Sequence, residues 1–238
     1  MPDERLDSHP DVTFDRDRQA RIGLEEAVLA EPKTSGQIAA IIDDALRENR
    51  RLLLTRMAPA QYGALPDRQR SVLDYCALSR SAILGSLPPQ ADTPRVALVS
   101  AGTSDAAAVT EARRVLAYSG LAVTEVADVG VAGLWRLLDR APLLRKMQVL
   151  IVFAGMDAAL PSVVAGLVPG VVIAVPTSVG YGVATGGRTA LDAALASCAP
   201  GVLVTNIDNG YGAACAALRF AHAAAQSEGI YAKKKGSR

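Results

Sequence analysis

RVALVSAGTSDAAAVTEARRVLAY, residues 95–118, decides the fold. Its opening run is apolar without the in–out alternation of a half-exposed strand, so it reads as a strand buried on both faces. A short loop of Gly, Thr, Ser and Asp follows, then a helix from Ser104 to Tyr118. The same rhythm repeats downstream. LAVTEVADV (121–129) is a strand and GLWRLLDRA (133–141) a helix; MQVLIVFAG (147–155) is a strand and ALPSVVAGL (159–167) opens a helix. GVVIAVPT (170–177) and GVLVTNID (201–208) supply two more strands, with GRTALDAALASC (187–198) helical between them and a last helix from near Gly212. Buried strands alternating with helices predict an α/β domain with a parallel sheet and right-handed crossovers.

Upstream the texture changes. LPPQADTP (87–94) carries three prolines and reads as a linker. It divides the chain into a small α/β N-terminal domain (1–90) and a larger domain (91–238). Within the first, the pattern predicts a strand near 27–30, a helix over 35–50 and a strand over 52–55.

Composition narrows the function classes. The 25 basic and 24 acidic residues leave a net charge of +1, so no nucleic-acid partner is expected. No apolar run is long enough to cross a bilayer, so no membrane partner is expected either. The N-terminal stretch MPDERLDSHPDVTFDRDRQAR has neither the apolar core of a signal peptide nor the acid-poor character of a transit peptide. The three cysteines, Cys76, Cys198 and Cys215, show no metal-ligand spacing, and a reducing cytoplasm is the simplest setting for them. KKKGSR at the end reads as a frayed tail.

In an open parallel sheet, ligands bind beyond the carboxyl ends of the strands. Four polar, glycine-rich loops fall there: SAGTSD (100–105), AGMD (154–157), PTSVGYG (176–182) and NIDNGYG (206–212). Together they predict one composite site. In SAGTSD, Thr103 or Ser104 is a candidate helix cap, or Gly102, Thr103 and Ser104 offer backbone N–H groups to a phosphate. Asp105 beside a phosphate would be repulsive, so it is read as a partner for a ribose hydroxyl or a metal. Asp157 is read either as a helix cap or as a general base whose pKa partial burial would raise. Ser178, Tyr181 and Gly182, with Asn206, Asp208 and Asn209, are substrate-binding candidates: the glycines allow close approach and a tyrosine ring can stack on a flat heterocycle. Tight turns with packing tyrosines are the plainer alternative. Arg188 suits a carboxylate or a phosphate, or simply the surface. Cys215 and Cys76 read as filler on apolar helices. Cys198 differs, since it ends a helix in SCAPG, where Pro200 forbids continuation.

Five long motifs carry a resemblance. RVALVSAGTSD, VADVGVAGLWRLL, VLIVFAGMDAALPSVVAGLV, VIAVPTSVGYGVATGG and LASCAPGVLVTNIDNGYGAA together resemble the LarB-type pyridinium-3,5-biscarboxylic acid mononucleotide synthases of nickel-pincer cofactor assembly. The similarity runs nearly continuously over 95–220. FDRDRQARIGLEEAVLAEPKT resembles the family's Asp-x-x-Arg-x-x-Arg-x-Gly stretch through Asp15, Arg18, Arg21, Gly23, Glu26, Lys33 and Thr34, with the usual extra N-terminal helix shortened or absent. The larger domain is also similar to PurE, the aminoimidazole ribonucleotide carboxylase and mutase. The resemblance therefore implies a PurE-like, flavodoxin/Rossmann-like three-layer domain preceded by a small α/β domain. PurE places its histidine in AGGAAHLPG, whereas here AGMDAALPS has Ala159 at that position, and the chain's two histidines, His9 and His222, lie outside the strand-end loops.

The resemblance implies nicotinic acid adenine dinucleotide as substrate and carbon dioxide or bicarbonate as carboxyl donor. Carboxylation at pyridine C5 accompanies cleavage of the phosphoanhydride, releasing AMP. The family nucleophile falls on Cys198 and its partner carboxylate on Asp157, where the family has glutamate, in AGMEGALP. No tightly bound cofactor is implied; the metal requirement stays open, with magnesium a reasonable partner for anhydride cleavage. By resemblance to PurE-like assemblies a homo-oligomer, an octamer, is expected. Two other readings stand beside this one: a related carboxylase acting on another pyridine or imidazole nucleotide, and a nucleotide-binding protein without catalysis.

Overall fold

The computed structural model of the protein describes residues 14–90 and 92–235; His9 and the expected shortening of the N-terminal helix lie outside them. The chain divides into two compact units, Met1–Leu87 and Pro88–Arg238.

The first unit runs α1 (Arg18–Ile22), β1 (Ala27–Leu29), α2 (Ser35–Arg47), β2 (Leu52–Thr55), α3 (Pro59–Gly63), α4 (Asp67–Arg70), β3 (Leu73–Cys76) and β4 (Ser81–Leu84). Its sheet has the order β1-β2-β4-β3, with β1 parallel to β2 and the remaining pairs antiparallel. Helix α2 buries Ile38, Ile41, Ile42 and Ala45, the i, i+3, i+4, i+7 stripe of one helical face. Thr34 opens that helix with a reciprocal cap: Gln37 N–H donates to Thr34 Oγ1 at 3.2 Å, and Thr34 N–H to Gln37 Oε1 at 3.0 Å. In the Asp-x-x-Arg-x-x-Arg-x-Gly stretch, Asp15 and Arg21 have structural partners. Arg21 grips Asp15 at 3.1 and 2.5 Å, and the Asp15 N–H reaches Glu26 Oε2 at 2.8 Å.

The β3–β4 hairpin is absent from the sequence reading, which put Cys76 on an apolar helix. Cys76 instead ends β3, paired opposite Ser81, and is half-buried. All four residues of β4 are buried, so the strand lacks the alternation that would have marked it.

The second unit runs β5 (Val96–Ser100), α5 (Ala106–Tyr118), β6 (Val123–Val126), α6 (Leu134–Leu144), β7 (Val149–Ala154), α7 (Ala159–Ala165), β8 (Val171–Pro176), α8 (Arg188–Leu195), β9 (Leu203–Val204) and α9 (Gly210–Lys235). All strand pairs are parallel, in the order β6-β5-β7-β8-β9. This is the flavodoxin-like doubly wound order, and it reverses direction between β5 and β7. Ala97, Val99, Leu150, Val152 and Val172 form one core with Leu137 and Leu144 of α6, Leu160 and Val164 of α7, and Ala190 of α8. Helices α5 and α9 pair on the other face, close enough that a Cβ on Gly210 would lie 2.3 Å from the Ala108 carbonyl oxygen. Both faces are thus covered, which is why the strands read as unbroken apolar runs.

Two boundaries differ from the sequence reading. Helix α8 stops at Leu195, so Cys198 lies in the loop beyond it and does not end a helix. The helix after β5 begins as a short 3₁₀ turn, Thr103–Asp105, before α5 proper. Neither Thr103 nor Ser104 caps it; the Gly102 N–H donates instead to Asp105 Oδ2 at 2.9 Å.

Candidate active site

Four neighbouring parallel strands, β5, β7, β8 and β9, end in the four glycine-rich loops, so all four loops stand on one rim. At the β5/β7 reversal lies a mostly apolar cavity of about 220 Å3. Its walls include Ala101, Gly102, Ser104 and Asp105 after β5, Gly130, Val131 and Ala132 after β6, and Gly155, Met156 and Asp157 after β7. Ala154, Ala159, Leu160 and Val179 complete it. A doubly wound sheet places its ligand at this switch point.

Backbone geometry builds the β7 side. A Cβ on Gly155 would meet the Val179 carbonyl oxygen at 2.1 Å, so only glycine lets the β7 and β8 loops close together. Met156 N–H then donates to that same oxygen at 2.8 Å. Met156 and Ala158 both adopt left-handed backbone, with φ of 54° and 45°. The turn swings Asp157 outward, and in the single chain it is exposed, where the sequence reading had it partly buried.

Asp105 takes the opposite position. It is 3% exposed, and both carboxylate oxygens serve the fold: one accepts from Gly102 N–H, the other from Thr177 Oγ1 at 2.7 Å. Burial raises its pKa above the ordinary carboxylate value; the bonds from Thr177 and Gly102 pull it back, and the charge of Asp208 adds to the rise. Asp208 in turn accepts the Ser178 N–H at 2.8 Å. The loops after β5, β8 and β9 are therefore tied together through Asp105, Thr177, Ser178 and Asp208.

Of the candidates read from sequence, the cavity gathers Gly102, Ser104, Asp105 and Asp157. Thr103, Ser178, Tyr181, Gly182, Asn206, Asp208 and Asn209 share the rim without lining the cavity. Tyr181 is 77% exposed, free to meet a ligand along the rim. Asn209 caps α9, its Oδ1 accepting from Gly212 N–H at 2.8 Å. Arg188 pairs with Asp192 on the surface. Cys198 is exposed and does not line the cavity. It sits on the connection leading into the amino end of β9, whereas Asp157 follows the carboxyl end of β7. The sequence reading passed over Thr177, Val131 and Val179; the VADVGVAG motif was the available signal for Val131.

A larger cavity, of about 410 Å3, lies in the first unit among Glu25, Glu48, Arg16 and Arg51. Its charges pair with one another, Arg16 with Glu48 and Arg51 with Glu25. Among the described residues no three His, Cys, Asp or Glu side chains cluster as a metal site. No helix among them is long and apolar enough to cross a membrane.

Comparison with known proteins agrees with this architecture. Residues 95–235 match the AIR carboxylase family and residues 7–85 the LarB/PurE-like N-terminal domain. The chain is a LarB-type member of the PurE-like carboxylase family. An uncharacterized protein of Methanocaldococcus jannaschii is 34% identical over 212 residues, covering 85% of this chain and 80% of that relative. In this LarB-type chain the cavity is the PurE-like domain's switch-point site, with Ala159 in its wall.

Proposed function

We propose that the protein carboxylates C5 of the pyridinium ring of nicotinic acid adenine dinucleotide and cleaves the phosphoanhydride, giving pyridinium-3,5-biscarboxylic acid mononucleotide and AMP. One observation carries the reading: the cavity wall offers a carboxylate, Asp157, and has Ala159 where imidazole chemistry would need its histidine. That combination disfavours a purine mutase and suits removal of a proton from a carbon.

The ring must first be made nucleophilic. A pyridinium is electron-poor and does not attack carbon dioxide. Addition of the Cys198 thiolate at C4 moves an electron pair onto the ring nitrogen and leaves an enamine whose C5 is nucleophilic. C5 then bonds to carbon dioxide, Asp157 takes the C5 proton, and the C4–S bond breaks to restore aromaticity. Water adds at phosphorus as the anhydride P–O bond opens and AMP departs. A cavity of about 220 Å3 is smaller than the roughly 300–1,000 Å3 of pockets for whole drug-sized ligands, so it takes the ring and the carboxyl donor. The rest of the dinucleotide extends along the rim past Ser178, Tyr181 and Asn206.

Asp157 lines the switch-point cavity and Cys198 does not, so the reading includes a homo-oligomer, an octamer by family resemblance, in which the thiol reaches the ring of a neighbouring copy. The shorter aspartate favours one alternative, a related nucleotide as substrate. Both are tested by supplying ¹³C-bicarbonate with nicotinic acid adenine dinucleotide and with a panel of pyridine and imidazole nucleotides, and weighing the products. Labelled biscarboxylate plus AMP from wild type, and none from Cys198→Ser, is expected. Carboxylation by the serine variant sinks the covalent route, and label in another nucleotide alone moves the assignment to that substrate.

A further inference from the structure

The thiol loop between α8 and β9 has few fastenings of its own. Ala196 N–H reaches the Asp192 carbonyl at 3.0 Å and Ser197 N–H the Ala194 carbonyl at 3.3 Å, which finishes the helix. Pro200 has no N–H to donate, and Gly201 turns through φ 84° in open space. The bond that spans Cys198 comes from a side chain: Ala199 N–H donates to Ser197 Oγ at 3.2 Å. Ser197 Oγ lies 2.7 Å from Ser162 Oγ, 35 residues earlier on α7.

Helix α7 is a firm anchor, with Leu160 and Val164 at 1% and 0% exposure in the core. Both serines are half-buried, whereas the cysteine between Ser197 and Ala199 is exposed. A hydroxyl donates once and accepts twice, so one proton serves the serine pair while Ser197 still accepts from Ala199. We infer that Ser162 and Ser197 are positioning residues that hold the Cys198 thiol on its line of attack. The inference rests on the carboxylase reading and adds two residues to it. Neither touches substrate; both act through the loop. A displacement near 1 Å costs on the order of 100-fold in rate, so loosening one backbone bond beside a nucleophile shows in turnover before it shows in binding.

The test uses the full chain with Ser162→Ala, Ser197→Ala, the double variant, and Ser162→Thr and Ser197→Thr. Each alanine variant is expected to lower kcat about 10–100-fold while KM for nicotinic acid adenine dinucleotide stays within about twofold. The double variant is expected to be no worse than the worse single one, since the pair acts as a unit. The threonine variants keep the hydroxyl and recover most of the turnover. Hydrogen exchange of the peptide spanning 196–202, read by mass spectrometry, should quicken in Ser162→Ala although residue 162 lies outside that peptide. With an active wild type, the inference is overturned by wild-type kcat in Ser162→Ala, by multiplying losses in the double variant, or by unchanged exchange. A wild type that turns over no substrate removes the carboxylase reading instead. Exchange and the rate of Cys198 alkylation by iodoacetamide then decide alone, and wild-type values for both in Ser162→Ala overturn the positioning role.

Discussion

Thr177 Oγ1 donates to Asp105 Oδ1 at 2.7 Å, joining the end of β8 to the turn after β5 across 72 residues of sequence. Thr177 is 1% and Asp105 3% exposed, so neither group has water as a substitute partner. Thr177→Val keeps the shape and removes the donor, leaving a buried carboxylate one bond short. A loss of about 1–3 kcal/mol in unfolding free energy is expected, measured by urea denaturation. A variant as stable as wild type would mean that water or a shifted loop makes good the bond.

The same carboxyl sets a pH dependence. Its pKa in the folded chain lies above its ordinary value of 3.8, chiefly because of burial. The folded state thus holds the proton to higher pH than the unfolded chain. The stabilising contribution is complete below the unfolded value and is lost as pH rises through the folded one. Asp105→Asn abolishes this titration. Wild-type stability minus that of the variant should decline as pH rises above the ordinary value of 3.8 and level off once pH has passed the folded value. A difference that grows with pH would refute the sign.

Glycine has two meanings here, and substitution separates them. At Gly210 a Cβ would sit 2.3 Å from the Ala108 carbonyl oxygen and 3.0 Å from Glu111 Oε2, so Gly210→Ala forces α9 away from α5. A cost of about 1–3 kcal/mol follows from overpacking. At Gly36, within α2, a Cβ would lie 3.9 Å from Thr34 Oγ1, an ordinary contact. Gly36→Ala should therefore be neutral or stabilise by up to about 1 kcal/mol through helix propensity. Thermal unfolding of the two variants should move in opposite directions, or not at all for Gly36; a shared direction contradicts this packing.

Much of the second unit was legible because its strands are buried on both faces and announce themselves as apolar runs. The same property hid β4 in the first unit: Ser81–Leu84 is short and wholly buried, and its serine reads as a loop residue until its Oγ is seen 2.8 Å from that of Ser79. The rim loops were legible as a group, since parallel strands put their polar ends together. Their division of labour was not. Asp105 and Asp157 look alike in sequence, each an aspartate just after a strand, yet one is turned inward by Thr177 and Gly102 and the other outward by two left-handed neighbours. Cys198 was singled out only by the motif that carries the family resemblance. Its placement before β9 follows from the end of α8 at Leu195, which periodicity alone does not fix.

That placement yields the sharpest prediction. The proposed chemistry needs sulfur on C4 and a base at the proton of adjacent C5, so both groups must meet one ring. Asp157 lines the switch-point cavity, and Cys198 does not. If a neighbouring copy supplies the thiol, Cys198→Ser and Asp157→Asn are each inactive alone but complement when mixed. Random co-assembly in equal amounts gives about one quarter of the sites an intact cysteine from one copy and an intact aspartate from another, hence about one quarter of wild-type turnover, as an interface site in a closed homo-oligomer requires. If one chain supplied both groups, every site would lack one of them and no activity would return. Co-expression with two distinguishable tags, isolation of the mixed species and measurement of biscarboxylate formation decide between these outcomes. Asp157→Glu in the same assay then shows whether the shorter side chain limits turnover on nicotinic acid adenine dinucleotide, with a rise in kcat marking a handicap and a fall marking a pocket fitted to aspartate.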